Sequence, residues 1–342
     1  MWLLFTALTF LWGSSYLWIK IAVDDGVAPF TLIAGRLIIG LAVLALILWR
    51  AKLALPRSRR MYGHLAFLAV INIAIPFFLI TWAEQSVDSA VAAILNSTVP
   101  LFTIMLAAFL LQDEPATLNR LAGVVVGFLG VFVITSRSLA GADDSDLAAE
   151  IALLGSAVAY AIGGIYARHH VRGLAPELPA FFQVFFAVFV TGAAALLLEA
   201  PAATAFTPEA VFAIVWLGVF GSGLAYPIFF RLLKEWGPTR TSMVAYVLPV
   251  WGLLLGALVL SEPIDARMIA GTALILSGIA LVNSRWGRRR IFGRTLEPAP
   301  APAVVAAPST SPAPLATTGD SIDAEPAARP QAGISRGVRR TR

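Results

Sequence analysis

From residue 2 to residue 284 the apolar positions fall into runs of about twenty, each closed by a short polar break. Roughly 20 mostly apolar residues are needed for a helix to cross the hydrocarbon core of a bilayer. On that measure the pattern predicts ten spans, at about 2–22, 28–49, 63–83, 88–111, 119–136, 148–168, 178–198, 210–233, 239–260 and 267–284. The first run resembles a signal-peptide core, but it lacks a basic n-region and carries Trp12, Tyr16 and Lys20 where a cleavage region would lie. It is read as a retained helix. From 295 to 342 the chain is Ala/Pro-rich without an apolar period. Such a segment cannot bury enough surface to offset the entropy of ordering it, so a disordered cytoplasmic tail is expected.

The polar breaks carry an orientation signal. The even-numbered connections hold Arg50, Lys52, Arg57, Arg59 and Arg60, then Arg120, then Arg168 and Arg172, then Arg231, Lys234 and Arg240. Arg285, Arg288, Arg289, Arg290 and Arg294 follow the last span. The odd-numbered connections hold only Arg137 and Arg267, with Lys20 at a helix end, and are otherwise acidic. An excess of Lys and Arg marks the cytoplasmic side. Both termini are therefore expected in the cytoplasm, which requires an even number of spans.

Composition agrees. Of 342 residues, 58% are hydrophobic and 13% charged, about half the charged share of an ordinary soluble domain. The net charge of +5 does not indicate nucleic acid, because the basic residues sit in short connections and the tail. There are no cysteines, which excludes disulfides, thiolate catalysis and Cys-based zinc sites. His64, His169 and His170 lie at the ends of apolar runs, so no buried metal site is expected. No nucleophile elbow, phosphate-binding loop or H-E-x-x-H motif appears. No catalytic residue and no cofactor is expected.

Two stretches repeat each other: VPLFTIMLAAFLLQDEPATLNRLAGVVVGFLGVFVI from Val99 and LPVWGLLLGALVLSEPIDARMIAGTALILSGIALV from Leu248. Pro100 aligns with Pro249, Glu114-Pro115 with Glu262-Pro263, Gly123 with Gly271 and Gly130 with Gly278, with one residue gapped. Each half, 1–136 and 147–284, then holds five spans. Five is odd, so the second half enters the membrane from the opposite side. Inverted-topology repeats of this kind are typical of secondary transporters, although some channels share them.

Polar groups at membrane depth are costly and usually face an interior. The candidates are Ser14, Ser15, Arg36, Asn72, Asn96, Ser97, Thr98, Gln183 and Ser222. Arg36 is either a tie to helix carbonyls or a counter-charge for an anionic or zwitterionic substrate. Asn96, Ser97 and Thr98 form a polar turn just before Pro100. Tyr16, Tyr226 and Tyr246 lie deep enough to line a pocket. The candidate substrate-binding set is Tyr16, Arg36, Asn96, Thr98, Tyr226 and Tyr246. Pro100 and Pro249 are kink positions. Glu114 and Glu262 are read as helix-end carboxylates meeting a neighbouring cation. Gly123-x-x-x-Gly127 and Gly252-x-x-x-Gly256 allow close helix packing. No carboxylate falls at mid-span, so a carboxylate proton relay has little support.

The opening LWGSSYLWIKIA (Leu11–Ala22), the stretch PFTLIAGR (Pro29–Arg36) and GSGLAYPIFFRLLKEWGPTRTSMVAYVLPVWGLLLGALVLSEP (Gly221–Pro263) resemble the EamA-type permeases of the drug/metabolite transporter superfamily. The resemblance covers about residues 1–285 and rests on the order of the motifs. It implies an all-α membrane fold of ten helices in two inverted repeats, and export or exchange of metabolites, amino acids or toxic compounds. Trp12, Lys20, Arg36, Pro100, Glu114, Pro249 and Glu262 match recurring family positions. The expected partners are a small-molecule substrate and membrane lipid, not nucleic acid; a homodimer is left open. The alternatives to a transporter are a channel, a membrane-embedded enzyme, and a sensor or scaffold signalling through the tail.

Overall fold

The computed structural model describes residues 1–110, 116–139, 144–171, 173–201, 204–236, 241, 243–284 and 290–292. Nine helices among the described residues are long and apolar enough to cross a membrane, and a tenth, shorter helix is also apolar. The chain is a multi-pass membrane protein. In chain order the helices are α1 (Trp2–Asp24), α2 (Pro29–Ala51), α3 (Arg59–Ala83), α4 (Ser89–Asn96 and Val99–Leu110), α5 (Leu118–Leu139), α6 (Asp144–His170), α7 (Glu177–Leu198), α8 (Pro208–Trp236), α9 (Val244–Val259) and α10 (Ala266–Asn283). Glu114, Pro115, Arg172, Arg240, the flank at 285–289 and the tail from 293 lie outside the described residues.

Local chemistry sets the helix ends. α2 and α8 begin with Pro29 and Pro208, where a missing N–H costs no helical hydrogen bond. Thr207 caps α8 by accepting from Ala210 N at 3.0 Å. Asp265 caps α10 by accepting from Met268 N at 2.9 Å. α9 ends when Ser261 takes a left-handed conformation, φ 57°. Glu262 N then donates back to Gly256 O at 3.0 Å, closing the last turn as a left-handed cap does.

Two features depart from ten uninterrupted helices. α4, expected as one run over 88–111, breaks at Ser97–Thr98. Pro100 supplies no N–H for the ladder. The Ser97 and Thr98 hydroxyls instead donate to Ile94 O and Leu95 O, both at 2.6 Å. α3 and α8 each contain a π-helical stretch, Val70–Ala74 and Leu217–Leu224, shortly before Pro76 and Pro227. Such widened turns in mid-helix frequently mark functional sites. The described residues also include one strand pair outside the helices: β1 (Ala116–Thr117) runs antiparallel to β2 (Arg290–Phe292).

The packing obeys an exchange between halves. α1 packs on α9, and α4 packs on α6; α2 packs on α8, and α3 packs on α7. The pairs α2–α7 and α5–α10 map onto themselves. α5–α10 is the most extensive contact and is lined by glycine. A side-chain carbon at Gly123 would meet Gly278 O at 2.6 Å, and one at Gly130 would meet Gly271 O at 2.7 Å. The numbering runs in opposite directions along the two helices, so they cross antiparallel with backbones in contact, as small residues permit. Large apolar side chains such as Phe132, Phe189, Leu197 and Leu258 stay exposed on the outer wall, which suits a lipid surround.

Candidate functional site

Arg36 sits on α2, 3% exposed, where α1, α3, α6 and α8 converge. Its guanidinium carbon lies 4.3 Å from the ring centroid of Phe77. Tyr160, Tyr226, Glu84 and Tyr16 lie within its electrostatic reach. Its Nε has no hydrogen-bond partner. A buried guanidinium normally recovers its lost hydration from a carboxylate or several carbonyls. Here, among the described residues, a ring face and phenol dipoles surround it. The π stretch of α8 makes room: a side-chain carbon at Gly221 would lie 3.2 Å from Arg36 Nη2 and 3.2 Å from Ser15 Oγ. Trp12 Nε1 donates to Gly221 O at 3.3 Å, tying α1 to the same stretch.

A second layer fixes the tyrosines. Asn96 Nδ2 donates to Tyr16 Oη at 2.7 Å, and Asn96 Oδ1 accepts from Ser156 Oγ at 3.0 Å. One amide at the end of the first α4 segment thus links α1, α4 and α6. Asn72 and Gln183 join α3 to α7 at 3.3 Å. Tyr16, Asn96 and Arg36 are all buried, while Tyr160 and Tyr226 are half-buried.

Four of the six candidate substrate-binding residues fall in one place: Tyr16, Arg36, Asn96 and Tyr226. Thr98 is fully buried and its hydroxyl is engaged by Leu95 O. Tyr246 faces α10 instead, donating to Ile279 O at 2.8 Å and accepting from Asn283 Nδ2 at 2.8 Å. Pro100 opens the second α4 segment, and Pro249 lies inside α9. Glu262 was expected to meet a cation. It meets a helix N-terminus: its carboxylate accepts from Ser89 N at 2.8 Å and Ala90 N at 3.1 Å. The first N–H groups of α4 have no intrahelical acceptor, so they attract a carboxylate as a cation would. Glu114 lies outside the described residues.

Phe77, Ser156, Tyr160 and Glu84 were not singled out from the sequence. Tyr160 is one aromatic among many in an apolar run. Glu84 reads as one of several acids in an odd-numbered connection, yet it is fully buried and both carboxyl oxygens lack a hydrogen-bond partner. Burial holds its carboxyl well above the usual range; Lys20 opposes this and Glu262 adds to it. Among the described residues no group of three or more His, Cys, Asp or Glu comes together to hold a metal ion.

Residues 1–136 and 147–284 each match the EamA-like transporter family. The chain is 25% identical over 291 residues to the uncharacterized transporter YoaV of Bacillus subtilis, a match that covers 83% of this chain and 97% of that protein. It is 28% identical over 287 residues to the uncharacterized inner membrane transporter YedA of Escherichia coli K12, covering 81% and 88%. A solved crystal structure superposes with a TM-score of 0.60 at 22% identity, over 82% of this chain and 94% of the other; at that identity the likeness speaks for the fold alone.

Proposed function

The chain belongs to the EamA-like transporter family, and from that premise we propose that it is an export permease of the cytoplasmic membrane. It moves a small metabolite, amino acid or drug-like compound by alternating access. Members of this family are transporters rather than enzymes.

The working parts are two five-helix halves of opposite topology, 1–136 and 147–284, with both termini in the cytoplasm. The antiparallel glycine contact of α5 with α10 supports this arrangement, as does the exchange of packing partners between the halves. A pseudo-two-fold axis in the membrane plane generates just such pairs. Exchanging the conformations of the two halves would open a central site to each side in turn.

The observation that carries the proposal is Arg36. A guanidinium buried at membrane depth, with Nε unpartnered and no carboxylate paired to it among the described residues, is a preorganised seat for an anionic group. Phe77 and the tyrosines supply amphipathic walls of the kind that line small-molecule sites. Tyr16 and Tyr226 offer hydroxyls to the solute, and Asn96 holds Tyr16 in place.

The test is reconstitution in liposomes with uptake of pooled, labelled amino acids and small metabolites. Saturable uptake by the native protein and its loss in Arg36→Ala, with the variant folded and inserted, is the expected result. Equal transport by Arg36→Ala would reject Arg36 as the seat.

A further inference from the structure

The carboxyl group of Glu84 has no role in the account so far, and its surroundings are unusual. It sits one residue past the end of the α3 span, with 0% exposure. Oε1 and Oε2 are both buried and unpartnered. From α1, Lys20 and Asp24 face it, with Tyr16 deeper on the same helix. Arg36 faces it from α2, and Glu262 from the connection between α9 and α10. Asp88, in the turn after Glu84, faces Glu262, Lys20, Asp24 and Asp146.

The nearest cation does not neutralise it. Lys20 Nζ donates to the backbone oxygen of Glu84 at 2.9 Å and pairs with Asp24 at 3.0 Å. An ionised carboxylate with neither donor nor solvent is strongly disfavoured in a protein interior. The neutral acid avoids most of that penalty. Glu262 is committed to the N–H groups of α4, and its charge further disfavours a second one nearby.

We infer that Glu84 is a proton-binding site, filled in this conformation and emptied when the transport cycle brings water or the Lys20 ammonium to its oxygens. The step is a plain proton exchange: the carboxylic acid O–H bond breaks, the proton leaves to water, and the carboxylate remains. Lys20 is poised for the second state, because an ammonium already on the backbone of Glu84 reaches the side chain by rotation and by release of Asp24. The site is also linked to Arg36. The guanidinium favours the ionised form of Glu84, so an anion seated on Arg36 cancels that field and tightens proton binding, and the proton tightens the anion reciprocally. This coupling rests on the transporter proposal; the protonation itself does not.

Infrared difference spectra of the full-length protein in lipid nanodiscs, native against Glu84→Gln, read the protonation directly. Glutamine keeps the size of a neutral acid and preserves the packing. The expected result is a protonated-carboxyl band at pH 7 that shifts in D2O and vanishes in Glu84→Gln. In Lys20→Met the band should persist to higher pH, because the opposing positive charge is gone; a merely structural lysine would not move it. An ionised-carboxylate difference at pH 7 would overturn the inference, and so would an unmoved midpoint in Lys20→Met. In liposomes, an imposed pH gradient should stimulate native transport of the pooled solutes and give no stimulation in Glu84→Gln. Stimulation that survives in Glu84→Gln would refute the coupling. If the native protein transports none of the pool, the permease proposal fails on its own, and the infrared band still decides the proton site.

Discussion

Removing the Glu262 carboxylate should loosen the junction between α4 and the connection leading into α10. Its two oxygens accept from Ser89 N at 2.8 Å and Ala90 N at 3.1 Å, and the residue is 8% exposed. Hydrogen bonds to charged groups contribute about 1.5–3 kcal/mol each. The favourable charge at a partly buried helix N-terminus overlaps with that sum and is worth up to about 2 kcal/mol. Against this stands relief of the carboxylate's own desolvation. The net expectation for Glu262→Ala is a loss of about 3 kcal/mol. At roughly 2 °C per kcal/mol for a chain of this length, the melting temperature should fall by roughly 6 °C. Glu262→Gln keeps one acceptor oxygen and should lose about half as much. Gly256→Ala should act in the same direction, because its side chain would press on the Glu262 carboxylate and lie 3.2 Å from Ser89 Oγ. Thermal unfolding of detergent-solubilised protein, followed by tryptophan fluorescence, measures all three. A Glu262→Ala protein that melts with the native one would refute the capping argument.

Gly278→Ala would place a carbon 2.5 Å from Gly123 O and 2.5 Å from Gly127 N. Both obstacles are backbone, so α5 and α10 must part by about 1 Å, and a loss of about 1–3 kcal/mol is expected in the same melt. Ser261→Gly should raise the melting temperature by a few degrees, since a left-handed conformation at φ 57° costs a residue with a Cβ about 1 kcal/mol or more. Stability should also depend on pH through Glu84. Its folded-state proton affinity lies above the ordinary value because of burial, so its contribution is fully present below about pH 4.3 and is lost as pH rises through the folded value. Melting temperatures measured between pH 5 and pH 8 should fall more steeply in the native protein than in Glu84→Gln; equal slopes would count against a buried neutral acid.

The helices were legible because an apolar run of bilayer length has few other uses; run length alone placed their ends, and the structure shows that Pro29, Pro208, Thr207 and Asp265 set them by local chemistry. The polar turn before Pro100 was visible, but the apolar run predicts one span over 88–111; the chain instead breaks at that turn, at Ser97–Thr98. The π stretches were not legible. Only Pro76 and Pro227 hint at them, and a proline does not specify which register the preceding turn adopts. Arg36 stood out in the sequence because a cation in an apolar run has few explanations. Glu84 did not, because a carboxylate just past a span looks like any connection acid until the end of α1 and the connection before α10 are folded over it. Glu262 showed a helix-end carboxylate, but the sequence does not reveal that its partner is the start of another helix. Tyr246 has the same depth signature as Tyr16 and Tyr226; only packing directs its hydroxyl to Ile279 O.

The most direct test of the central claim, a permease that seats its solute on Arg36, is paired uptake in liposomes by the native protein, Arg36→Ala and Arg36→Lys. The expected result is saturable native uptake, loss of transport in Arg36→Ala, and partial recovery in Arg36→Lys with a raised KM, because lysine restores charge without the planar fork. Uptake in Arg36→Ala equal to that of the native protein would contradict the claim.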